Sequence, residues 1–225
     1  MRSLTKTTSL NFSQRDSEHL RPIGGFAKRG FDIVGAMLGI VALAPLLLLL
    51  VLLVKFSTGG SVFYGHKRIG RGGRIFRCLK FRTMVENGDA VLAEHFRRNP
   101  EARNEWNATR KLRDDPRVTR VGVVLRKLSL DELPQIFNIL LGDMSIVGPR
   151  PIVRDELDIY GPAAVFYLKS RPGLTGLWQV SGRNDVSYDT RVAFDRHYVE
   201  NWSLLEDMRI ILKTVPAVCL SRGSY

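Results

Sequence analysis

The sequence predicts an α+β fold that is mostly helical: an N-terminal re-entrant membrane helix broken by a proline, a β-hairpin, and amphipathic helices at the membrane surface around a small catalytic domain. Three observations support this prediction. Residues 33–54 contain no charged side chain, residues 59–84 hold two β-rich runs around a Gly-rich turn, and helical patterns dominate the remainder of the chain. We therefore expect a flexible N-terminal tail over residues 1–22, a membrane helix over 23–56 and a catalytic domain over 57–225.

The uncharged run is long enough to enter a bilayer. A hydrocarbon core of about 30 Å needs roughly 20 helical residues, and a buried helix of a soluble protein is rarely this long and apolar. Pro45 lies in the middle of the run and removes one helical hydrogen bond, which predicts a kink. Both flanks are basic, and basic flanks prefer the cytoplasmic side. A helix that enters one leaflet, turns at Pro45 and returns satisfies both flanks, whereas a straight span would place one of them outside.

The net charge of +12 calls for anionic partners such as nucleic acid, anionic membrane lipid or phosphorylated substrates. The charge is concentrated in one region: residues 55–127 hold 18 Lys and Arg against 7 Asp and Glu, whereas residues 128–225 hold 10 against 12. No recognition helix or RNA motif accompanies it, so we expect no nucleic-acid partner. The two cysteines and four histidines are scattered singly, which excludes the usual zinc motifs and a disulfide framework.

The hairpin predicted over residues 59–84 turns at Gly70, Gly72 and Gly73. These glycines do not form a nucleotide-binding loop, because their spacing is not GxGxxG and no helical pattern comes after them. Basic side chains remain dense through the hairpin, and they either face headgroups and substrate phosphates or form a solvated surface. They include Arg68, Arg77, Lys80 and Arg82.

The next helical pattern covers residues 88–113, with a break near Pro100. Phe96 and Trp106 lie among arginines, so this stretch either lies flat on an anionic membrane or packs on the body of the protein. Residues 121–128 predict a short helix that leads into the central stretch.

Beyond the central stretch we expect a helical segment over 152–170 and then a Gly- and Pro-punctuated loop with a short strand around Trp178 and Val180. Two helices are predicted over 189–202 and 203–220. The second begins with Ser203 three residues before a glutamate, the spacing of a capping box.

The central stretch, from Ser129 to Pro151, holds the candidate chemistry. Asp131 and Glu132 are adjacent at the start of an apolar segment. Ser129 and Glu132 have the spacing of a capping box, so a purely structural role is the stronger interpretation of this pattern taken alone. Pro134 favours a helix start nearer Asp131. In either case the two carboxylates lie at a helix N-terminus, about 100° apart, where one could act as a nucleophile while the other binds a metal or moves a proton.

Arg150 lies between Pro149 and Pro151, and the two prolines restrict its backbone from both sides. An arginine held in this way is preorganised for a bidentate contact with phosphate oxygens, although a simple rigid turn explains the pattern equally well.

Several motifs occur in order along residues 22–220: KRGFD, KFRTM, SLDELPQIFNILLGDMSIVGPRP, RPGLTGLWQVSGR and YVENWSL. In this combination the chain resembles the bacterial sugar transferase family, the monotopic polyprenyl-phosphate phosphoglycosyl transferases. Within that family it looks most like the exopolysaccharide priming enzymes for galactosyl- or glucosyl-1-phosphate. The resemblance implies transfer of a sugar-1-phosphate from a UDP-sugar to undecaprenyl phosphate with release of UMP, with Mg²⁺ as cofactor.

The resemblance also implies residue roles. Asp131 would attack the β-phosphate to form a covalent phosphosugar intermediate, with ping-pong kinetics, and Glu132 would bind Mg²⁺ or assist proton transfer. Arg150, with its flanking prolines, would contact phosphate. Two further arginines, Arg126 and Arg82, would make additional phosphate or headgroup contacts. The helix break of the family is usually Ser-Pro, whereas here an alanine precedes Pro45.

The resemblance places the protein in the bacterial inner membrane with its catalytic domain on the cytoplasmic face. Its partners would then include anionic lipid and a second copy of the chain or downstream glycosyltransferases. Two other classes of function are considered. A membrane-tethered nucleic-acid-binding protein would explain the net charge but predicts a recognition helix or RNA motif, and none is found. A non-catalytic scaffold of a polysaccharide assembly complex would keep the membrane helix but would not need the Asp-Glu pair.

Overall fold

The computed structural model describes residues 22–109, 112–181 and 186–219. All but the last residue of the predicted tail lies outside the described residues. Within them the chain is mostly helical, with a hairpin and a second pair of short strands, which confirms the predicted class.

The long apolar helix, α1, spans Gly25–Thr58 and is continuous through Pro45. The proline therefore weakens the hydrogen-bond ladder without ending the helix. Among the described residues α1 is the one helix that is long and apolar enough to cross a membrane. Most of its apolar side chains are exposed, as expected for a segment that contacts lipid rather than a protein core.

The predicted hairpin is confirmed. Strand β1, Phe63–Ile69, pairs antiparallel with β2, Ile75–Phe81, so that Phe63 lies opposite Phe81. The turn places Gly72 and Gly73 at φ values of 67° and 78°. Only glycine adopts that region at no steric cost, which explains the Gly-rich turn.

Helices α2, Gly88–Arg98, and α3, Pro100–Thr109, form the predicted pair with a break before Pro100. The rings of Phe96 and Trp106 lie 6.1 Å apart, and the guanidinium of Arg117 lies 4.9 Å from the Trp106 ring centroid. Both aromatic side chains are half-buried. The structure therefore favours packing within the protein over the alternative in which these rings lie on a membrane.

Helix α4, Arg120–Lys127, begins where the Thr119 side chain accepts a hydrogen bond from Gly122 N. A 3₁₀ turn over Leu130–Glu132 comes next, and α5, Gln135–Leu141, begins only after Pro134. The capping box predicted at Ser129 is wrong. Ser129 adopts φ 56°, in the left-handed region, and its side chain makes no cap hydrogen bond. A 3₁₀ turn separates it from α5.

Strand β3, Ser145–Val147, pairs in parallel with β4, Gly173–Thr175. Between them lie α6, Arg154–Tyr160, and α7, Ala164–Lys169. The predicted strand around Trp178 and Val180 is wrong, because these residues form the short helix α8, Leu177–Ser181. The strand lies a few residues earlier, where its partner β3 is available.

Two helices complete the described chain: α9, Tyr188–Glu200, and α10, Leu204–Cys219. Ser203 Oγ accepts a hydrogen bond from Glu206 N at 3.1 Å, so the serine caps α10 as predicted. Exposed apolar side chains line α10 at helical spacing, which gives it one apolar face. These side chains are Leu204, Leu205, Met208, Leu212 and Val215.

The start of α1 is fixed to the body by a buried ion cluster. Lys28 Nζ lies 2.9 Å from Asp207 Oδ2 in α10 and 3.4 Å from Asp32 Oδ1. Asp32 in turn accepts hydrogen bonds from Ser145 Oγ and Ile146 N at the start of β3. The cluster thus joins α1, the strand that precedes the Pro-Arg-Pro segment and the last described helix.

Candidate active site

The two adjacent carboxylates lie on the 3₁₀ turn that precedes α5, not on the helix itself. Asp131 is largely buried and Glu132 is more exposed, with side-chain exposures of 13% and 37%. The two carboxylates therefore have different environments. A buried carboxylate beside a more accessible one suits a division between a nucleophile and a group that binds a cation or proton.

Lys80, near the end of β2, holds the pair together. Its Nζ lies 2.7 Å from Glu132 Oε1 and 3.8 Å from Asp131 Oδ2. In the sequence, Lys80 is one of several basic residues of the hairpin, and no motif assigns it to the site. Strand alternation contains the missing signal, because Lys80 is in phase with Phe76 and Cys78, both buried.

Burial raises the pKa of Asp131 above its usual value, while the positive charges of Lys80 and Arg126 and a backbone hydrogen bond oppose that rise and Glu132 adds to it. Two cations thus stabilise the charged form of a carboxylate that has lost much of its water. A desolvated carboxylate beside two cations is a candidate for nucleophilic attack on phosphorus.

The two other predicted arginines lie at different distances from the pair. Arg126, at the end of α4, donates from Nε to Thr83 Oγ1 at 2.9 Å and acts electrostatically on Asp131. Arg82 comes directly after β2 and donates from Nε to the Ser61 carbonyl oxygen at 2.9 Å. The structure therefore places the charge of Arg126 near Asp131, while Arg82 is bound to Ser61, in the segment that leads into β1.

Asn138 in α5 joins the strand that carries Lys80 to the helix that comes after the dyad. Its Oδ1 accepts from Leu79 N at 2.8 Å, and its Nδ2 donates to the Arg77 carbonyl oxygen at 2.9 Å. The side chain is 1% exposed. One amide therefore pairs with the outer edge of β2 as a third strand would, and fixes Lys80 relative to Asp131.

The Pro-Arg-Pro segment comes directly after β3. The Pro149 carbonyl oxygen accepts a hydrogen bond from Gly173 N at 2.8 Å. Two glycines permit this approach, because a Cβ on Gly148 would lie 2.4 Å from a backbone oxygen, and one on Gly173 would lie 2.2 Å from Gly148 N. The segment is therefore held on both sides, and Pro149 is buried while Arg150 is exposed.

Arg150 lies beside the ring of Trp178, and its charge reaches the buried Cys78 of β2. Its charge acts on the Cys78 thiol, as do the charges of Lys80 and Glu132. Its Cζ also lies 5.9 Å from the ring centroid of Trp178. Of the predicted site residues, the structure thus brings Asp131, Glu132 and Arg126 together, with Lys80 as an addition, while Arg150 lies beside Trp178 and Arg82 beside Ser61.

The oxygen-rich dyad fits a magnesium ion. Mg²⁺ usually binds proteins through one or two carboxylates together with substrate phosphates, so it does not require a larger cluster of protein ligands. No group of three or more His, Cys, Asp or Glu side chains with metal-binding geometry occurs in the described part of the chain. Glu132 is the accessible carboxylate, and the lysine that contacts it would have to move aside to admit a cation.

Comparisons with known proteins agree with the motif order. A family model described as bacterial sugar transferase matches residues 23–221. The chain is 66% identical over 226 residues to the exopolysaccharide production protein ExoY of Sinorhizobium fredii, with 100% of both chains covered. It is 53% identical over 200 residues to the UDP-galactose-lipid carrier transferase of Erwinia amylovora, covering 89% of this chain and 42% of that protein. The undecaprenyl-phosphate galactose phosphotransferase of Salmonella typhimurium matches with the same identity and coverage.

Proposed function

The chain belongs to the bacterial sugar transferase family, and from this premise we propose that it transfers a hexose-1-phosphate, galactose or glucose, from a UDP-sugar to undecaprenyl phosphate and releases UMP. The reaction would be the first membrane step of exopolysaccharide synthesis. The observation that supports this proposal best is the Asp131–Glu132 pair held by Lys80, with the charge of Arg126 also acting on Asp131. The names of the relatives, one an exopolysaccharide production protein and one an undecaprenyl-phosphate galactose phosphotransferase, support the same reaction.

In the first half-reaction, a carboxylate oxygen of Asp131 attacks the β-phosphorus of the UDP-sugar. The bond from that phosphorus to the bridging oxygen breaks, and UMP leaves with the bond electrons. In the second half-reaction, a phosphate oxygen of the lipid attacks the same phosphorus, and Asp131 leaves as a carboxylate. No oxidant or reductant is needed, and the kinetics are ping-pong.

The surrounding side chains stabilise charge on the phosphoryl oxygens. Arg150 is preorganised by its prolines for a bidentate contact, and Arg126 and Lys80 provide further positive charge near Asp131. Glu132 would hold Mg²⁺ or move a proton, and a bound magnesium ion would neutralise the diphosphate. Arg82 remains a candidate for a headgroup or phosphate contact.

We place the helix α1 in the cytoplasmic leaflet of the inner membrane as a re-entrant segment, with the catalytic domain on the cytoplasmic face. Cysteine labelling in intact cells tests this topology, with one cysteine introduced in the tail and one after Lys55. Both sites should be shielded from an impermeant reagent added outside. Labelling of one site from each side would refute the re-entrant arrangement.

The reaction is tested by a screen for UMP release across UDP-sugars, with the purified protein, undecaprenyl phosphate and Mg²⁺. We expect one or two UDP-hexoses to release UMP, and Asp131→Asn to abolish release. The wild type without lipid acceptor should still release about one UMP per protein, because the covalent half-reaction needs no acceptor. UMP release by Asp131→Asn at the wild-type rate would refute the nucleophile, and no release by the wild type would favour the scaffold.

A further inference from the structure

One face of the hairpin begins at the carboxylate pair and continues along β1 toward Arg68. Directly opposite residues of an antiparallel pair have Cβ atoms about 4.5–5.5 Å apart on the same face of the sheet. Tyr64 lies opposite Lys80, and His66 lies opposite Cys78. Tyr64 and His66 therefore share the face from which Lys80 contacts the dyad, and we call these two residues the Tyr64–His66 face.

The Tyr64–His66 face presents two rings beside the dyad. The ring centroids of Tyr64 and His66 lie 6.2 Å apart, with an angle of 46° between the ring planes. Tyr64 is 51% exposed, and His66 is half-buried. A tyrosine combines apolar ring area with a polar tip. This combination suits a sugar ring, which has both C–H groups and hydroxyl groups.

The neighbours of His66 determine where its proton lies. Arg68 Nη2 is 3.3 Å from His66 Nδ1, and a guanidinium only donates, so Nδ1 is the acceptor. Burial and the positive charges of Arg68 and Lys80 lower the pKa of His66, whereas Glu156 raises it. A neutral histidine that accepts at Nδ1 has its proton on Nε2. Nε2 makes no hydrogen bond within the described residues, so its N–H can donate to a ligand.

The Tyr64–His66 face is an uncharged stretch between two cations. Lys80 lies at its dyad end and contacts Glu132, and Arg68 lies at its other end, 3.5 Å from Glu156. A phosphate is bound best by cations and by charge-assisted hydrogen bonds. A neutral imidazole N–H and a phenol are suited instead to hydroxyl groups, because neither partner of such a contact is charged.

The other side of the dyad is apolar. Leu130 and Leu133 flank the two carboxylates in the chain and belong to the hydrophobic cluster that includes Leu50 and Val54 of α1. This side offers a sugar no polar contact. The hexose of the donor is joined to the attacked phosphorus through one oxygen, so it has to lie within the breadth of one ring from Asp131. The Tyr64–His66 face meets this requirement and is polar without being charged.

We propose that the Tyr64–His66 face binds the hexose of the sugar donor, with His66 Nε2 donating to a hexose hydroxyl and the Tyr64 ring against the C–H groups of the sugar. The proposal rests on the proposed function and deepens it, because it assigns the residues that select the sugar. A site that hydrogen-bonds a substrate hydroxyl discriminates against an analogue that lacks it. Tyr64 and His66 therefore determine which UDP-hexose is used.

The test is His66→Leu, with His95→Leu as the matched control. His95 is also half-buried and lies in α2, where its Nδ1 is 3.3 Å from Asn99 Nδ2. UMP release is measured with UDP-galactose and UDP-glucose. We expect His66→Leu to lower kcat/KM for the preferred hexose about tenfold, since one hydrogen bond to the sugar is lost, and the control to behave as the wild type does. His66→Gln should restore most of the loss, because its amide keeps an N–H donor.

Deoxy analogues of the preferred UDP-hexose identify the contact itself. The wild type should lose about tenfold in kcat/KM with the analogue that lacks the contacted hydroxyl, whereas His66→Leu should use that analogue and the parent sugar equally well. The same loss in both proteins for every analogue would overturn the proposal. So would a changed KM for undecaprenyl phosphate with unchanged sugar selectivity, because the face would then contact the acceptor. Should His66→Leu fail to fold, Tyr64→Leu at an exposed position replaces it, with Tyr64→Phe keeping the ring.

A binding experiment separates this proposal from the proposed function. Hexose-1-phosphate and inorganic phosphate are titrated into the full chain in nanodiscs, and we expect His66→Leu to weaken binding of the hexose-1-phosphate alone. If the wild type releases UMP but neither selectivity nor this binding depends on His66, the reaction stands and the sugar face is wrong. If hexose-1-phosphate binding depends on His66 but no UDP-sugar releases UMP, the sugar face stands and the reaction is wrong. A wild type that binds hexose-1-phosphate no better than phosphate also overturns the sugar face.

Discussion

Replacing Asn138 tests how the site is held together. In Asn138→Leu, a side chain of similar size keeps the packing but removes both hydrogen bonds to β2. Leu79 N and the Arg77 carbonyl oxygen then lose their partners at 2.8 Å and 2.9 Å in a position where the asparagine is 1% exposed. Each buried polar group left unpaired costs about 1–3 kcal/mol. The free energy of unfolding should therefore fall by about 2–6 kcal/mol.

The assay is thermal unfolding of the protein in nanodiscs, followed by circular dichroism. For a chain of this size, a loss of 1 kcal/mol lowers Tm by about 2–4 °C, so the expected decrease is on the order of 10 °C. The control is Asn107→Leu, the same change at an exposed position of α3. UMP release should also fall in Asn138→Leu at temperatures where the protein is folded, because Lys80 is no longer fixed against the dyad.

Asn138→Asp gives a readout that a general packing defect would not. The aspartate keeps one acceptor for Leu79 N, but when ionised it presents its second oxygen to the Arg77 carbonyl oxygen. Asp143 Oδ2 also lies 3.4 Å from the wild-type Nδ2. Burial and these oxygens raise the folded-state pKa of the new carboxyl, so its stabilising form is protonated. Stability should be highest at low pH and be lost as pH rises through that pKa. Two results would refute the role of Asn138 in holding β2 against α5. One is an equal free energy of unfolding for Asn138→Leu and Asn107→Leu. The other is a dependence of stability on pH in Asn138→Asp that matches the wild type.

Three further changes test other parts of the structure. Lys80→Met removes a positive charge that lowers the pKa of Asp131. The acid side of the pH dependence of kcat should therefore move to higher pH, and kcat should fall about a hundredfold. An unchanged pH dependence would show that Lys80 does not act on Asp131. Lys28→Met leaves the buried carboxylates of Asp32 and Asp207 without their cation, so the free energy of unfolding should fall by about 3–5 kcal/mol. An unchanged Tm would contradict this expected loss of stability. Gly122→Ala places a Cβ 2.2 Å from the Thr83 carbonyl oxygen and should lower the free energy of unfolding by about 1–3 kcal/mol. A wild-type Tm would contradict this and would mean that α4 moves away at little cost.

Sequence patterns correctly predicted the elements whose form depends on residues close together in the chain. The hairpin was predicted because glycines at positive φ are required at its turn, and the α10 start because Ser203 is free to cap. The prediction failed where a tertiary partner decides. Trp178 has the residue type of a strand, but β3 pairs with the preceding Gly173 instead, and Trp178 becomes part of a short helix.

The candidate site was only partly predictable for the same reason. Asp131 and Glu132 were identified from their adjacency and motif, but the expected cap at Ser129 did not form, because a left-handed serine and a 3₁₀ turn redirect the chain before the helix begins. Lys80 lies 51 residues before Asp131 in the sequence, and only the register of β2 against α5 brings them together. A single sequence contains the alternation of β2 but not the contact that uses it.

The packing of α1 bears on both the topology and the chemistry. Its buried residues lie in the first part, through Ala36, and again from Leu50 onward, while residues 37–49 are not buried. A helix of 34 residues is about 51 Å long. Both the first part and the end of α1 contact the same body, which agrees with the proposed arrangement in which both basic flanks stay on one side of the membrane.

The end of α1 packs against the sequence neighbours of the candidate catalytic residues. Val54 and Leu50 share a hydrophobic cluster with Phe81, Leu125 and Leu130. These three residues directly adjoin Lys80, Arg126 and Asp131 in the chain. If α1 inserts as we propose, this cluster would also fix the height of Asp131, Lys80 and Arg126 above the lipid. The proposed acceptor, a phosphate carried on a membrane lipid, would be confined to that height, so the packing of α1 would set how closely the dyad approaches it.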